Sequence, residues 1–269
     1  MSTLTWLRAM TRSETASTPR ERASTDSGEL ELIAGLEPGT AGADADTVAA
    51  AVAFARNSRR DAQSRLAWAR YAHHAAEQLF GQLHPVALQA GRVYQSVLAE
   101  HGHTLDAVTV ARARLHVAEQ AGDQVLALTS RCSYATALHR HGHCEQALRQ
   151  ARLCLQTWWA SPHGFGHPAT VLLSAAAIHA GCGRGSAAVN VLVDDAAHLR
   201  LLDPPSRRMA ARWLALVATT HHGRCALPTL ETASGRDDRL QQQFWLSVLE
   251  TPHHHTRSTA TKRLGGAIS

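Results

Sequence analysis

Lysine is almost missing from this chain: of its 27 basic residues only Lys262 is a lysine, and the other 26 are arginines. That loss excludes a phosphate-loop lysine, a Schiff-base lysine and a Ser-x-x-Lys nucleophile, since Lys262 stands in a polar C-terminal tail. Asparagine occurs only at Asn57 and Asn190, and aromatic residues make up just 5% of the chain. No apolar run approaches the roughly 18–20 residues that a membrane-spanning helix needs, and the opening "MSTLTWLRAM" lacks the apolar stretch of a secretory signal. A cytoplasmic location is expected. The five cysteines, Cys132, Cys144, Cys154, Cys182 and Cys225, show no C-x-x-C spacing, and the expectation is reduced, partly buried thiols without a structural disulfide. H-E-x-x-H is absent as well.

What remains is long and rich in alanine. At 269 residues and 45% hydrophobic content the chain can bury a substantial core. Alanine combines high helix propensity with a side chain small enough for close helix contacts, so an all-α fold is expected. The net charge of +5 is mildly basic, and the arginines are dispersed among acidic residues rather than gathered into a nucleic-acid stripe.

Residues 1–45 carry Ser, Thr, Gly, Ala and Asp without apolar periodicity and read as a mostly disordered arm; residues 251–269 read as a disordered tail. Between them, 46–250 forms the folded part, and there the chain repeats itself. Gly102, Gly142, Gly183 and Gly223 are spaced by 40, 41 and 40 residues, and the fifth residue after each is Ala107, Ala147, Ala188 and Pro228. Tyr94 matches Tyr134, Leu88 matches Leu128 and Leu98 matches Leu138, all at 40 residues. Each unit therefore reads as a helix, a turn at glycine and a second helix, with a methyl-sized residue where the two helices approach. Pro228 suits the first turn of a helix, and the fourth unit reads as a terminal cap.

The stretches "LFGQLHPVALQAGRVYQSVLAEHGHTLDAV", "LTSRCSYATALHRHGHCEQALRQARLCL" and "GHPATVLLSAAAIHAGCGRGSAAV" resemble tetratricopeptide repeats, particularly the long variety of kinesin light chains and many actinobacterial proteins. His84-Pro85 and His167-Pro168 open first helices, and the likeness spans about residues 46–235. The resemblance implies a right-handed superhelix of antiparallel helix pairs, a TPR-like alpha solenoid, whose concave groove binds peptides or proteins, and it implies no catalysis. Two departures stand out. Kinesin-light-chain grooves commonly hold a peptide backbone through asparagines, and chaperone-binding relatives clamp a carboxylate through lysines; this chain has almost none of either.

The segment "ALHRHGHCEQAL" places three histidines and a cysteine around Gly142. Cys132, His139, His143 and Cys144 offer zinc-binding atoms, but Gly142 ends the helix between His139 and His143, so no metal is expected. His101, His141 and His221 recur at one address in the repeat, where a cationic imidazole would stabilise the carbonyl end of a helix. "GCGRG" coincides with a repeat turn and is preceded by no strand, and the adjacent pairs Asp194–Asp195 and Asp237–Asp238 point apart on a helix. No cofactor and no enzyme activity are expected.

If first helices line the inner groove, their non-core positions are Gln89, Arg92, Ser96 and Ala99, then Thr129, Cys132, Thr136 and His139, then Thr170, Leu173 and Ala177, then Trp213, Val217 and Thr220. Arg92 is placed to grip a carboxylate, His139 to respond to pH and Trp213 to anchor an apolar group. The functional expectation is a scaffold or regulatory module that binds a protein or peptide, its own arm or a second copy of itself. The alternative is a nucleic-acid-associated transcriptional regulator, against which stands the lack of a helix-turn-helix recognition segment.

Overall fold

The computed structural model describes residues 33, 36–38, 40–160, 168–199, 202–219 and 237–250. Among them every regular element is a helix. We number these α1 (Ala45–Arg56), α2 (Ala62–Phe80), α3 (Pro85–Glu100), α4 (Thr104–Gln120), α5 (Gln124–Arg140), α6 (Cys144–Ala160), α7 (Pro168–Gly181), α8 (Gly185–Asp194), α9 (Ala196–Leu199), α10 (Pro204–Thr219) and α11 (Asp237–Glu250). Each of α1 to α7 packs against the next, as do α7 with α8 and α10 with α11; α1 also touches α3, and α7 touches both α5 and α10. No helix among the described residues is long and apolar enough to cross a membrane.

Local chemistry sets the helix ends. Asp44, Asp61 and Asp123 cap α1, α2 and α5, accepting hydrogen bonds from the Thr47, Gln63 and Leu126 backbone amides at 2.8–2.9 Å. Hydrogen bonds from the Thr47 side chain and amide hold the Asp44 carboxyl below its usual pKa, and those from the Ser64 side chain and amide do the same for Asp61. At the other end, Gly102, Gly142 and Gly183 adopt φ of 79°, 89° and 72°. Their turns close alike: the amides of His103, His143 and Arg184 donate to the carbonyls of Leu98, Leu138 and His179, five residues back, at 2.8–2.9 Å. This is the Schellman closure, which satisfies last-turn carbonyls and favours glycine for its left-handed conformation. Gly122, at φ 69°, makes a further turn between α4 and α5 that the glycine period did not reveal.

The forty-residue period reappears in burial. From 101–120 to 141–160 every position keeps its degree of exposure except one, where buried Val108 faces half-buried Leu148. Ala107, Ala147 and Ala188 are at most 1% exposed, consistent with close helix approach after each turn. Two apolar clusters result: Ile33 to Ala107 gather around α1–α3, and Val108 onward around α4–α11, with α4 contributing to both.

Ile33 lies inside the stretch expected to be unordered, yet it is 4% exposed within the first cluster. Most of the expected arm, the tail 251–269, and the turn at Gly223 with Pro228 fall outside the described residues. Cys132, Cys154 and Cys182 are free thiols. Cys144 is disulfide-bonded, which corrects the expectation of five reduced thiols; Cys225 lies outside the described residues.

Candidate functional site

Four helices, α3, α5, α7 and α10, meet around a cavity of about 70 Å3, with Ala107 of α4 at its edge. Helical spacing selects the lining. On α3 it is Arg92, Gln95, Ser96 and Ala99; on α5 it is Thr129, Cys132, Ser133, Thr136, Ala137 and Arg140. Both sets step by three and four residues, the repeat of one helix face. Helix α7 adds Thr170 and Ser174, four residues apart and the only hydroxyls of that helix, and α10 adds Trp213.

Most of the hydroxyl protons around the cavity are committed. Thr129 donates to the Val125 and Leu126 carbonyls, Ser133 to Thr129 and Thr136 to Cys132, at 2.9–3.1 Å, and Ser96 donates to the Glu100 carboxylate at 3.1 Å. Their remaining lone pairs accept. The Gln95 amide bridges the two sides, donating to the Ser133 carbonyl at 3.2 Å while its oxygen accepts from Arg114 Nη1 at 3.1 Å. Thr170 Oγ1, in contrast, is buried without a hydrogen-bond partner.

Cationic groups dominate the electrostatics. Arg92 is solvent-exposed, but it stands in a concavity where surrounding protein replaces part of its hydration, and this desolvation lowers its pKa. Desolvation lowers Arg140 as well, opposed by the Glu100 carboxylate. Arg114, 8% exposed beneath Gln95, is pushed down to about 9, by burial first and by the neighbouring Arg92 charge second. Glu100 is engaged by Arg65 Nη2 at 2.8 Å, and Arg65 Nε donates to the Ala55 carbonyl at 3.0 Å.

No family model, curated protein or solved structure matches this chain. The residues must be read on their own terms.

Arg92, Ser96, Thr129, Thr136 and Trp213, five of the groove residues expected from sequence, line this one cavity, together with Ala99, Cys132 and Thr170. Gln89 does not; its amide faces the Arg56 guanidinium of α1. His139 is corrected. At 2% exposure it belongs to the interior of α5 and cannot meet a ligand as a surface pH sensor would. The stripe runs on to Arg140 instead, because three turns from Thr129 advance about 10.8 residues. Leu173 and Ala177 are likewise in the core, at 0% and 3% exposure, and the α7 lining passes through Ser174. The side chains of Val217 and Thr220 fall outside the described residues. Gln95, Ser133, Arg140 and Ser174 were the polar lining residues missed.

Two cross-helix pairs occupy one address in successive units. Arg92 and Arg114 interact by charge; forty residues on, Cys132 and Cys154 share a hydrogen bond. That bond and burial raise the Cys132 pKa well above the ordinary thiol range, leaving it a poor nucleophile.

The histidine-rich turn is a structural joint. Cys132, His139, His143 and Cys144 do not come together as a donor set among the described residues. His141 Nδ1 shares a hydrogen bond with Thr104 Oγ1 at 2.9 Å, tying α5 to the start of α4, and its ring meets His143 edge-on at 4.7 Å. His101 departs from the expected cationic cap: burial lowers its pKa first and Arg65 second, so the neutral imidazole is favoured at this helix end.

Among the described residues, one group of three potential metal donors converges: His73, His74 and Glu77 of α2, all within 4.8 Å. A cation fits poorly there. Arg114 brings positive charge against His73, and burial, His74 and Arg114 together lower the His73 pKa to about 4. The His73 ring packs on Tyr94 at 5.3 Å, within the α2–α3 contact.

Proposed function

We propose that this chain is a non-enzymatic interaction module: a TPR-like right-handed superhelix of antiparallel helix pairs, acting as a scaffold or regulator in the cytoplasm and holding a protein or peptide in its concave groove. The observation that carries the reading is the cavity shared by α3, α5, α7 and α10. These are the first helices of successive pairs, and side chains from four units converge on one space. Stacked helix pairs have this geometry when first helices line an inner surface. The lining also suits binding better than turnover. It combines an arginine, hydroxyl acceptors and an indole, while its thiol is held protonated and its histidine neighbour is buried in the core.

Co-purification tests this. A doubly substituted Arg92→Ala, Trp213→Ala chain should keep its helicity and lose the proteins that the parent retains. Retention of every partner by that variant would refute the groove as the docking surface.

A further inference from the structure

We infer that Cys132 and Cys154 form an oxidation site: a small hydroperoxide entering the cavity oxidises Cys132, and Cys154 then closes a disulfide that staples α5 to α6. This reaction goes beyond the interaction reading and does not depend on whether the groove holds a partner.

Hairpin geometry brings the two sulfurs together. Cys132 of α5 and Cys154 of α6 are free, buried and equidistant from His143, and their thiols share a hydrogen bond. Toward the turn, Ala135 stands at the same address as Ala151, and His139 at the same address as Ala147. These three alanines are at most 1% exposed. Methyl-sized side chains let the two backbones approach, and a disulfide needs Cα atoms within about 4.4–6.8 Å of each other. Sulfurs already in hydrogen-bond contact reach bonding distance through small side-chain rotations. The first unit fills the same address with Arg92 and Arg114, so the repeat itself does not call for sulfur there. Nor does the pair suit zinc, since among the described residues no third His, Cys, Asp or Glu donor converges on it.

Access divides the roles. Cys132, at 4% exposure, lines the cavity, whereas Cys154, at 1%, does not. A reagent in the cavity therefore meets Cys132 first. A volume of about 70 Å3 admits hydrogen peroxide but not a disulfide the size of oxidised glutathione. Thr129, Thr136, Thr170 and Ser174 line the same space with hydroxyls, which suit a molecule that both donates and accepts hydrogen bonds.

The chemistry balances in two steps. Cys132 gives up its proton, and its thiolate attacks one peroxide oxygen; the O–O bond breaks, hydroxide leaves and takes a proton to become water, and Cys132 becomes a sulfenic acid. Cys154 then gives up its proton, and its sulfur attacks the Cys132 sulfur, expelling the hydroxyl as a second water. Two thiols and one hydrogen peroxide thus yield one disulfide and two waters, the peroxide taking up the two electrons that the sulfurs lose. The shared hydrogen bond and burial keep the Cys132 thiol protonated, so the first step is slow and the pair responds to sustained exposure.

Peptide mass spectrometry of the folded chain after hydrogen peroxide, with free thiols alkylated during unfolding and no reductant added, tests the inference. The peptides bearing Cys132 and Cys154 should appear joined, two hydrogens lighter than their sum, and dithiothreitol should separate them. No Arg or Lys lies between Arg152 and Arg184, so Cys154 and Cys182 share a tryptic peptide, and Cys182→Ser should keep the link. In Cys154→Ser, dimedone should label Cys132 as a trapped sulfenic acid; in Cys132→Ser, Cys154 should stay unlabelled. Oxidised glutathione should give no link in the same time. The linked chain should melt about 6–12 °C higher than the reduced one, the effect of closing a loop of this size. The parent chain carries the decisive measurement, so no variant has to fold for it. Absence of the link, a link that forms only in urea, or one from Cys132 to Cys182 would overturn the site. A labelled Cys154 in Cys132→Ser, an equal yield from oxidised glutathione, or a linked chain that melts no higher than the reduced one would overturn it as well. Co-purification reads the interaction module separately from all of these outcomes.

Discussion

Gly142 offers a clean test of the repeat's turn chemistry, because its replacement isolates one physical term. The residue sits at φ 89° between α5 and α6, and a Cβ built there would meet nothing within 4 Å. Alanine at this site therefore clashes with no neighbour and opens no void. What it adds is the intrinsic cost of a left-handed conformation for an L-residue, about 1–2 kcal/mol. For a folded region of roughly 150–250 residues each kcal/mol moves the melting midpoint by about 2–4 °C, so Gly142→Ala should lower Tm by about 2–8 °C. Gly142→Asn should lose less, since asparagine tolerates this region better. Gly91 is the internal contrast. It has no positive φ, but a Cβ would lie 3.0 Å from Arg114 Cδ, so Gly91→Ala acts by displacing a side chain and by its higher helix propensity. Thermal melts followed by far-ultraviolet circular dichroism read all three variants. A Gly142→Ala chain that melts with the parent, or one less stable with asparagine than with alanine, would refute the left-handed closure.

Ala147, 0% exposed where α6 leaves its turn, should not accept Leu: Ala147→Leu overpacks the hairpin by about 1–3 kcal/mol, read as a lowered urea midpoint, and an unchanged midpoint would show that the helices do not approach there. Stability should fall as pH drops from about 6.5 to about 4, because the unfolded His73 imidazole gains its proton near 6.5 but the folded one only near 4, so the unfolded chain binds more protons across that window. His101 and His179 shift in the same direction, and His73→Phe, which keeps an aromatic ring against Tyr94, should make the fall in urea midpoint shallower; an equal or steeper fall would sink the assignment.

The turns were legible because only glycine takes their backbone angles at no cost, and a recurring requirement leaves a recurring letter. Gly122 was legible too. It lies halfway between Gly102 and Gly142, and its fifth follower is Ala127, so the true unit of spacing is one 17-residue helix plus a three-residue turn. The groove register was readable to within one residue. A step of 3.6 leaves positions three and four on equal terms, and the choice of His139 over Arg140, or Leu173 over Ser174, fell on the wrong side. The polar letter decides on α7, where Thr170 and Ser174 stand alone among apolar neighbours. The orphaned state of Thr170 and the proximity of Arg114 were not readable, since both depend on which helices share the cavity.

The paired positions link the repeat to its function. In a helical hairpin, residues equidistant from the turn meet: Arg92 and Arg114 flank His103 by 11 residues each, and Cys132 and Cys154 flank His143 by the same 11. The second unit fills the address with two small neutral thiols that satisfy each other and pack well. The first fills it with two guanidiniums that repel, one of them almost wholly buried and hydrogen-bonded to the Gln95 oxygen at 3.1 Å. A buried guanidinium beside a second, exposed one costs stability that an apolar or thiol pair would not, although the Glu77 charge opposes part of it. The cost falls beside the cavity, where Thr170 Oγ1 also lacks a hydrogen-bond partner.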